Sequence, residues 1–299
     1  MTLAPLRSWL FVPGDSDRKM EKAATNPADA LILDLEDSVA DSNQELARRL
    51  TAETLAARPD RSAQKLWVRI NPLDHDFALD DLAAVMPGRP DGIVLPKVLG
   101  AGDAARLDDF LSVLEAREGI ARGTTQILAI TTETAGALLG FQSYLSGAPE
   151  RLNALTWGAE DLSADLGATT NRHPLRPEEY DAPYQMARTL CLAAARHIEA
   201  QPVGGVFTNF RDQEALAEDC ARDLAAGFFG KLAIHPAQSE VINTAFTPTD
   251  AQIDRARRIV DLFDQNPGMG VVGMDGEMID MPHLKQARKT LALVESLGL

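Results

Sequence analysis

Cysteine is scarce in this sequence: 299 residues carry two, Cys191 and Cys220, and neither stands at CxxC or zinc-finger spacing. That excludes a disulfide scaffold and a thiolate metal centre, and both read as small buried hydrophobes on helices. Positive charge is short as well, with 29 Lys plus Arg against 44 Asp plus Glu and a formal net charge of −15. So acidic a surface repels phosphate backbones, which argues against nucleic acid and anionic membrane as partners. A local basic patch for a small anion is still compatible with it. No run approaches the ~18 apolar residues of a membrane span. The opening MTLAPLRSWLFVPG lacks the long apolar stretch and small-residue cleavage site of a secretory leader. The expectation is a soluble, reduced, cytoplasmic protein. GxSxG, HExxH and GxxxxGK[ST] are absent too, which removes the common serine-hydrolase, zinc-peptidase and P-loop readings.

What is present is an alternation. Short β-rich runs occupy 8–13, 30–37, 65–72, 92–97, 126–134, 152–161, 203–210 and 231–236. Several are apolar without alternation, as parallel strands buried on both faces must be. Helical patterns lie between them, at 44–57, 103–119, 184–200 and 211–227 among others. Eight strands each followed by a helix predict an α/β fold, a (β/α)8 TIM barrel over residues 1–240, with an open doubly wound sheet as the alternative. Residues 241–299 are expected to form a C-terminal helical lid: a helix near 250–264, a glycine-rich stretch, and a final helix near 283–296. Gly268, Gly270 and Gly273 spell GxGxxG, but no βαβ unit surrounds them, so they read as a flexible joint rather than a dinucleotide fingerprint.

In such a barrel, functional groups hang from the C-terminal ends of the strands. Those ends carry Pro13-Gly14-Asp15, followed by Arg18 and Lys22; then Asp34, Glu36 and Asp37; Arg69 and Asn71; Lys97; Glu133; Glu160 and Asp161; Thr208 and Asn209; and His235. Glu133 and Asp161 follow adjacent strands, so water and substrate oxygens could complete a Mg2+ site with them. Both also precede helices, where acids act as N-caps, and spacing alone leaves the two readings level. Arg69 ends an apolar strand and needs an anion, either a substrate carboxylate or enolate, or Glu36 or Asp37 as an internal partner. Lys97 reads as an ion-paired lysine or, if desolvated, a Schiff-base nucleophile. His235 reads as a loop histidine or a base.

The same residues carry a resemblance. RSWLFVPGDSDRKMEKA (7–23), DLEDSV (34–39), VRIN (68–71), ETAGAL (133–138), GAEDLSADLG (158–167), IHP (234–236) and GEMIDMPHLKQA (276–287) occur in order. The chain thus resembles the citrate lyase β-subunit-like proteins and the malyl-CoA and citramalyl-CoA lyases of the HpcH/HpaI aldolase superfamily. The resemblance implies a Mg2+-dependent carbon–carbon lyase acting on an acyl-CoA and a small 2-oxo acid, assembled as a homotrimer or hexamer. By motif, Glu133 and Asp161 match the metal ligands and Arg69 the substrate-binding arginine. Phe11, Pro13, Gly14, Arg18, Lys22, Ile234 and His235 match positions that contact substrate or CoA, with Glu36 and Asp37 supporting Arg69. Asp280 matches the general acid/base, carried on a lid that reaches the neighbouring subunit. Gly204 and Asn209 are a departure, because relatives often carry acids there. Two other outcomes stay open at this stage: a malyl-CoA thioesterase, and a citrate-lyase-like subunit acting on an acyl carrier protein within a complex.

Overall fold

The computed structural model describes residues 5–298. β1 (Ser8–Pro13) leads through α1 (Asp17–Ala23) to β2 (Ala30–Asp34), and α2 (Gln44–Ala57) leads to β3 (Lys65–Arg69). The alternation continues with α3 (Ala78–Val85), β4 (Gly92–Leu95), α4 (Ala101–Glu118), β5 (Gln126–Ile130), α5 (Ala135–Gly140), β6 (Leu152–Thr156) and α6 (Glu160–Asp165). A small hairpin, β7 (Arg172–His173) and β8 (Arg176–Tyr180), interrupts it before α7 (Ala182–His197). Then come β9 (Gln201–Val203), α8 (Gln213–Ala226), β10 (Lys231–Ala233) and α9 (Gln238–Phe246).

Eight of these strands form one parallel sheet in the order β10-β1-β2-β3-β4-β5-β6-β9. The ring closes just past β9, where Gly204 N–H donates to the Gly230 carbonyl (2.9 Å) and the Gly204 carbonyl accepts from Leu232 N (3.0 Å). This is the expected (β/α)8 barrel. Its interior is packed by Trp9, Ile32, Trp67, Val94, Leu128, Val203 and Leu232, with the two indoles edge to face at 4.9 Å. Gly92 makes room for them, since a Cβ there would lie 2.2 Å from the Trp67 ring. A second, larger apolar layer between strands and helices buries both cysteines. No helix among the described residues is long and apolar enough to cross a membrane.

β1 spans the expected 8–13, but the other strands are shorter than the sequence runs suggest, because polar residues at their ends turn out of the sheet. The clearest correction is at 203–210: the strand is Gln201–Val203 and the rest is loop. At Gly205 the backbone passes so close to Trp157 that a Cβ would lie 2.8 Å from its carbonyl oxygen.

The C-terminal segment builds its own layer. α10 (Asp250–Gln265), β11 (Val271–Met274), β12 (Glu277–Asp280) and α11 (Met281–Ser296) enclose a separate core of Ala256, Ile259, Phe263, Val272, Met274, Ile279, Leu284 and Ala287. The glycine-rich stretch is therefore not simply a flexible joint. β11 and β12 pair antiparallel around Asp275-Gly276, both left-handed at φ 54° and 84°, as a type I′ hairpin turn requires.

Candidate active site

Strand alternation sets the first part of the site. Along β2 the inward positions run Ala30, Ile32, Asp34, and along β3 they run Trp67, Arg69, with Asp34 and Arg69 directly in register. Apolar layers thus fill the barrel from below, and a polar layer caps them at the C-terminal mouth. Phe11 on β1 belongs to that layer, its ring 4.7 Å from the Arg69 guanidinium carbon.

Arg69 is clamped by three carboxylates. Its Nε and Nη2 donate to the two oxygens of Asp34 at 2.7 and 2.6 Å, and its Nη1 lies 2.7 Å from Glu36 and 3.3 Å from Asp37. The internal ion pair is therefore real, but its principal partner is Asp34. Burial raises the cost of both charges, yet their mutual attraction outweighs it and holds Asp34 below the usual carboxylate range and Arg69 above the usual guanidinium range. Asp34 also accepts from the backbone N–H of Glu36 (3.0 Å) and Ser38 (3.3 Å), so it shapes the loop that presents Glu36 and Asp37. One N–H on Nη2 is left over from this clamp.

Lys97 closes the arrangement from β4. Its Nζ pairs with Glu36 and lies 3.3 Å from Asp37. Partial burial opposes the charge, but these acids outweigh it and push the ammonium up, so the Schiff-base reading is corrected: a nucleophilic lysine must shed its proton near neutral pH.

Glu133 is buried beyond β5, where its carboxylate accepts the Lys97 backbone N–H at 2.5 Å. Burial first, then the charge of Glu36 and, further down, of Asp161, pushes its carboxyl up to about 8. Burial likewise lifts Glu36 to about 7. The N-cap reading of Glu133 fails, because Thr134 caps α5 through its own side chain, accepting from Ala137 N at 3.2 Å. Asp161 stands in the first turn of α6, half-buried, behind the N-cap residue Ala159. Among the described residues no three His, Cys, Asp or Glu side chains converge on one point. The donor set is two carboxylates in a mouth where Asp34, Glu36, Asp37, Glu133 and Asp161 outnumber Arg69 and Lys97. That excess of negative charge, with few protein ligands, suits a hard divalent cation that keeps water and substrate oxygens in its shell.

Gly14 sits below this rim, where a Cβ would lie 2.6 Å from the Asp34 carbonyl oxygen. Pro13 ends β1 beside it, while Arg18 and Lys22 are exposed one turn apart on α1. On the neighbouring strand, Ile234 and His235 follow β10. Buried Gln238 holds both by accepting their backbone N–H groups (2.9 and 3.1 Å), and the imidazole stacks on Phe210 at 4.5 Å. Sequence reasoning missed Asp34 as the clamp, Gln238 and Phe210. Only Asp34 left a signal, as an acid two residues after an inward isoleucine.

Asp280 stands apart. It caps α11 at the end of β12, and His283 Nδ1 lies 2.5 Å from its carboxylate. Within one chain, hydrogen bonds and ion pairs join Asp34, Glu36, Asp37, Arg69, Lys97 and Glu133 and leave Asp280 out.

Residues 7–236 match the family described as HpcH/HpaI aldolase/citrate lyase. The chain belongs to that family. Within the HpcH/HpaI aldolase/citrate lyase family it is 36% identical to a (3S)-malyl-CoA thioesterase of Cereibacter sphaeroides, over 98% of this chain and 96% of the relative. It is 32% identical to the citrate lyase subunit beta of Escherichia coli, over 98% of this chain and 94% of that one. Among solved structures it resembles CitE of Mycobacterium tuberculosis in complex with magnesium, acetoacetate and coenzyme A. The TM-score there is 0.77 at 28% identity, covering 98% of this chain and 99% of the other.

Proposed function

We propose that the protein is a Mg2+-dependent carbon–carbon lyase that cleaves a 3-hydroxyacyl-CoA of the malyl-CoA or citramalyl-CoA type into acetyl-CoA and a 2-oxo acid, or runs the reverse condensation. The observation that carries this reading is Glu133, a buried carboxylate kept near Asp161 in a mouth with excess negative charge. Glu133 and Asp161 would hold Mg2+, which when bound would polarise the oxo-acid oxygens. Magnesium in the solved CitE structures supports that assignment.

The chain's own groups supply the rest. Arg69 stays charged at every working pH, and its remaining Nη2 N–H is available to the thioester enolate oxygen, an oxyanion role. Phe11 covers one face of the guanidinium, so that donor points into a partly dry site. Arg18 and Lys22 offer positive charge to CoA phosphates at the rim of an otherwise acidic surface. In the condensing direction Asp280 takes the methyl proton of acetyl-CoA, the enolate carbon bonds to the 2-oxo carbon as its carbonyl π bond opens, and the new alkoxide takes a proton from water. In cleavage the 3-hydroxyl gives its proton to water, the alkoxide re-forms the carbonyl as the carbon–carbon bond breaks, and protonated Asp280 gives its proton to the enolate carbon.

Asp280 is supplied by a neighbouring subunit in this reading, within a homotrimer or hexamer in the cytoplasm. Two features support it. The hairpin segment has a core of its own, and it presents Val271, Met278 and Met281 to solvent, Met278 at 72% exposure.

A second reading keeps the site and ends in thioester hydrolysis; the malyl-CoA thioesterase from Cereibacter sphaeroides favours it. The test is acetyl-CoA formation from malyl-CoA and citramalyl-CoA, each with Mg2+ and with excess EDTA. Metal-dependent acetyl-CoA from either substrate is the expected result. Free CoA without a 2-oxo acid would replace the lyase by the thioesterase. Neither product would move the assignment to a subunit that acts on an acyl carrier protein.

A further inference from the structure

Lys97 has a backbone that few lysines adopt. Its φ is 51°, in the left-handed region; the other non-glycine residues there among the described residues, Arg89, Glu199 and Asp275, lie where a helix ends or a hairpin turns. Lys97 instead stands at the mouth of the barrel, two residues past the end of β4. Left-handed backbone crowds a Cβ, so some contact must repay the strain.

Two contacts do, and they point in different directions. The main-chain N–H reaches across to β5 and donates to Glu133 at 2.5 Å. The side chain turns the other way, past Arg69 on β3, and places its ammonium against Glu36 with Asp37 at 3.3 Å, in the loop after β2. A single residue thus ties the carboxylate proposed as a metal ligand to the acids that grip Arg69. The ion pair to Glu36 anchors the side chain, and the anchored side chain holds the backbone in the conformation that aims the N–H.

We infer that Lys97 is a positioning residue with two duties: its main-chain N–H orients Glu133 for the metal, and its ammonium holds Glu36 and Asp37 so that Arg69 keeps a fixed donor toward substrate. The inference rests on the metal-lyase reading above. It differs from the Schiff-base role, since Lys97 forms no bond to substrate.

Substitutions at this one position separate the duties. Gly and Ala both lack the ammonium, but glycine adopts φ 51° freely and alanine does not. With the side-chain anchor gone, Lys97→Ala relaxes its backbone and Lys97→Gly has no strain to relax. Calorimetric titration of each purified full-length variant with Mg2+ alone should therefore show Lys97→Ala binding about three- to tenfold more weakly than Lys97→Gly. In steady-state cleavage at saturating Mg2+, both should lose at least about tenfold in kcat, with a smaller change in KM, because the disturbed group acts on the developing enolate. Lys97→Arg keeps a charged anchor and should recover most of the loss.

Equal Mg2+ affinity for the Gly and Ala variants would overturn the main-chain duty. Wild-type kcat in Lys97→Gly would overturn the ammonium duty. A wild-type chain that binds Mg2+ but cleaves neither ester overturns the lyase reading and leaves the Gly–Ala comparison to decide the main-chain duty. A wild-type chain that binds no Mg2+ overturns both.

Discussion

Arg69 grips Asp34 with two parallel hydrogen bonds, Nε to Oδ1 at 2.7 Å and Nη2 to Oδ2 at 2.6 Å, on residues paired in register across β2 and β3. Both side chains are buried, so neither charge has water to fall back on. Replacing one member of such a pair leaves the other uncompensated. Asp34→Asn should lower unfolding stability by about 3 kcal/mol, read from the urea midpoint; Glu36 and Asp37 still partner the arginine and keep the loss at the low end. A variant as stable as wild type would remove Asp34 from the clamp.

The raised carboxyl of Glu133 sets a pH dependence. Its folded value is moved from 4.5 to about 8. Between those limits the folded chain binds more proton than the unfolded one, so this group's stabilisation is complete below the lower value and is lost as pH rises through the upper one. In chelator, Glu133→Gln should match wild type at about pH 4, below both values, and be the more stable protein at about pH 9. Excess Mg2+ should reverse that ranking, stabilising wild type more at the higher pH, where no proton competes for the carboxylate. Melting temperatures under the four conditions check it, and a pH-independent difference would refute the shift.

Asp280→Asn should leave Mg2+ binding intact and lower turnover about 10²-fold or more. Because the barrel and Asp280 come from different subunits in the proposed assembly, co-expressing Asp280→Asn with Glu133→Gln chains should restore part of the activity. Some sites in mixed oligomers then combine an intact barrel with an intact arm. Inactive mixtures, together with two inactive parents, would place both residues in one chain's site.

Gly204 makes a separate test on the closing seam. A Cβ there would lie 2.3 Å from the Asp223 carboxylate, which holds Lys231 at 2.6 Å and Arg188 at 2.9 Å. Gly204→Ala should cost about 1–3 kcal/mol in stability and leave Mg2+ affinity unchanged. An acid at this position would place like charges together, because Asp223 occupies that space.

The barrel was legible because its strands are short apolar runs followed by polar or charged residues, and those residues placed Arg69, Lys97 and Glu133 at one rim. The partners were not. That Arg69 takes Asp34 first depends on cross-strand register, which no local pattern encodes. Thr134 displaces Glu133 as the N-cap through a choice between two adjacent polar residues. The Asp275-Gly276 turn was visible as a dipeptide, but the flanking glycines drew the reading toward a loose joint. Where Asp280 acts could come only from the resemblance, since neither periodicity nor the single chain joins it to the mouth.

The C-terminal layer's private core has a consequence for descent. Because α10, the hairpin and α11 are sealed against one another around Phe263, Ile279 and Leu284, the arm can accumulate substitutions, or be replaced wholesale, without reopening the barrel. Lineages that share the same mouth can then diverge by editing the segment from Asp250 to Ser296 around a retained Asp280, while the strands that carry Arg69's clamp stay unchanged.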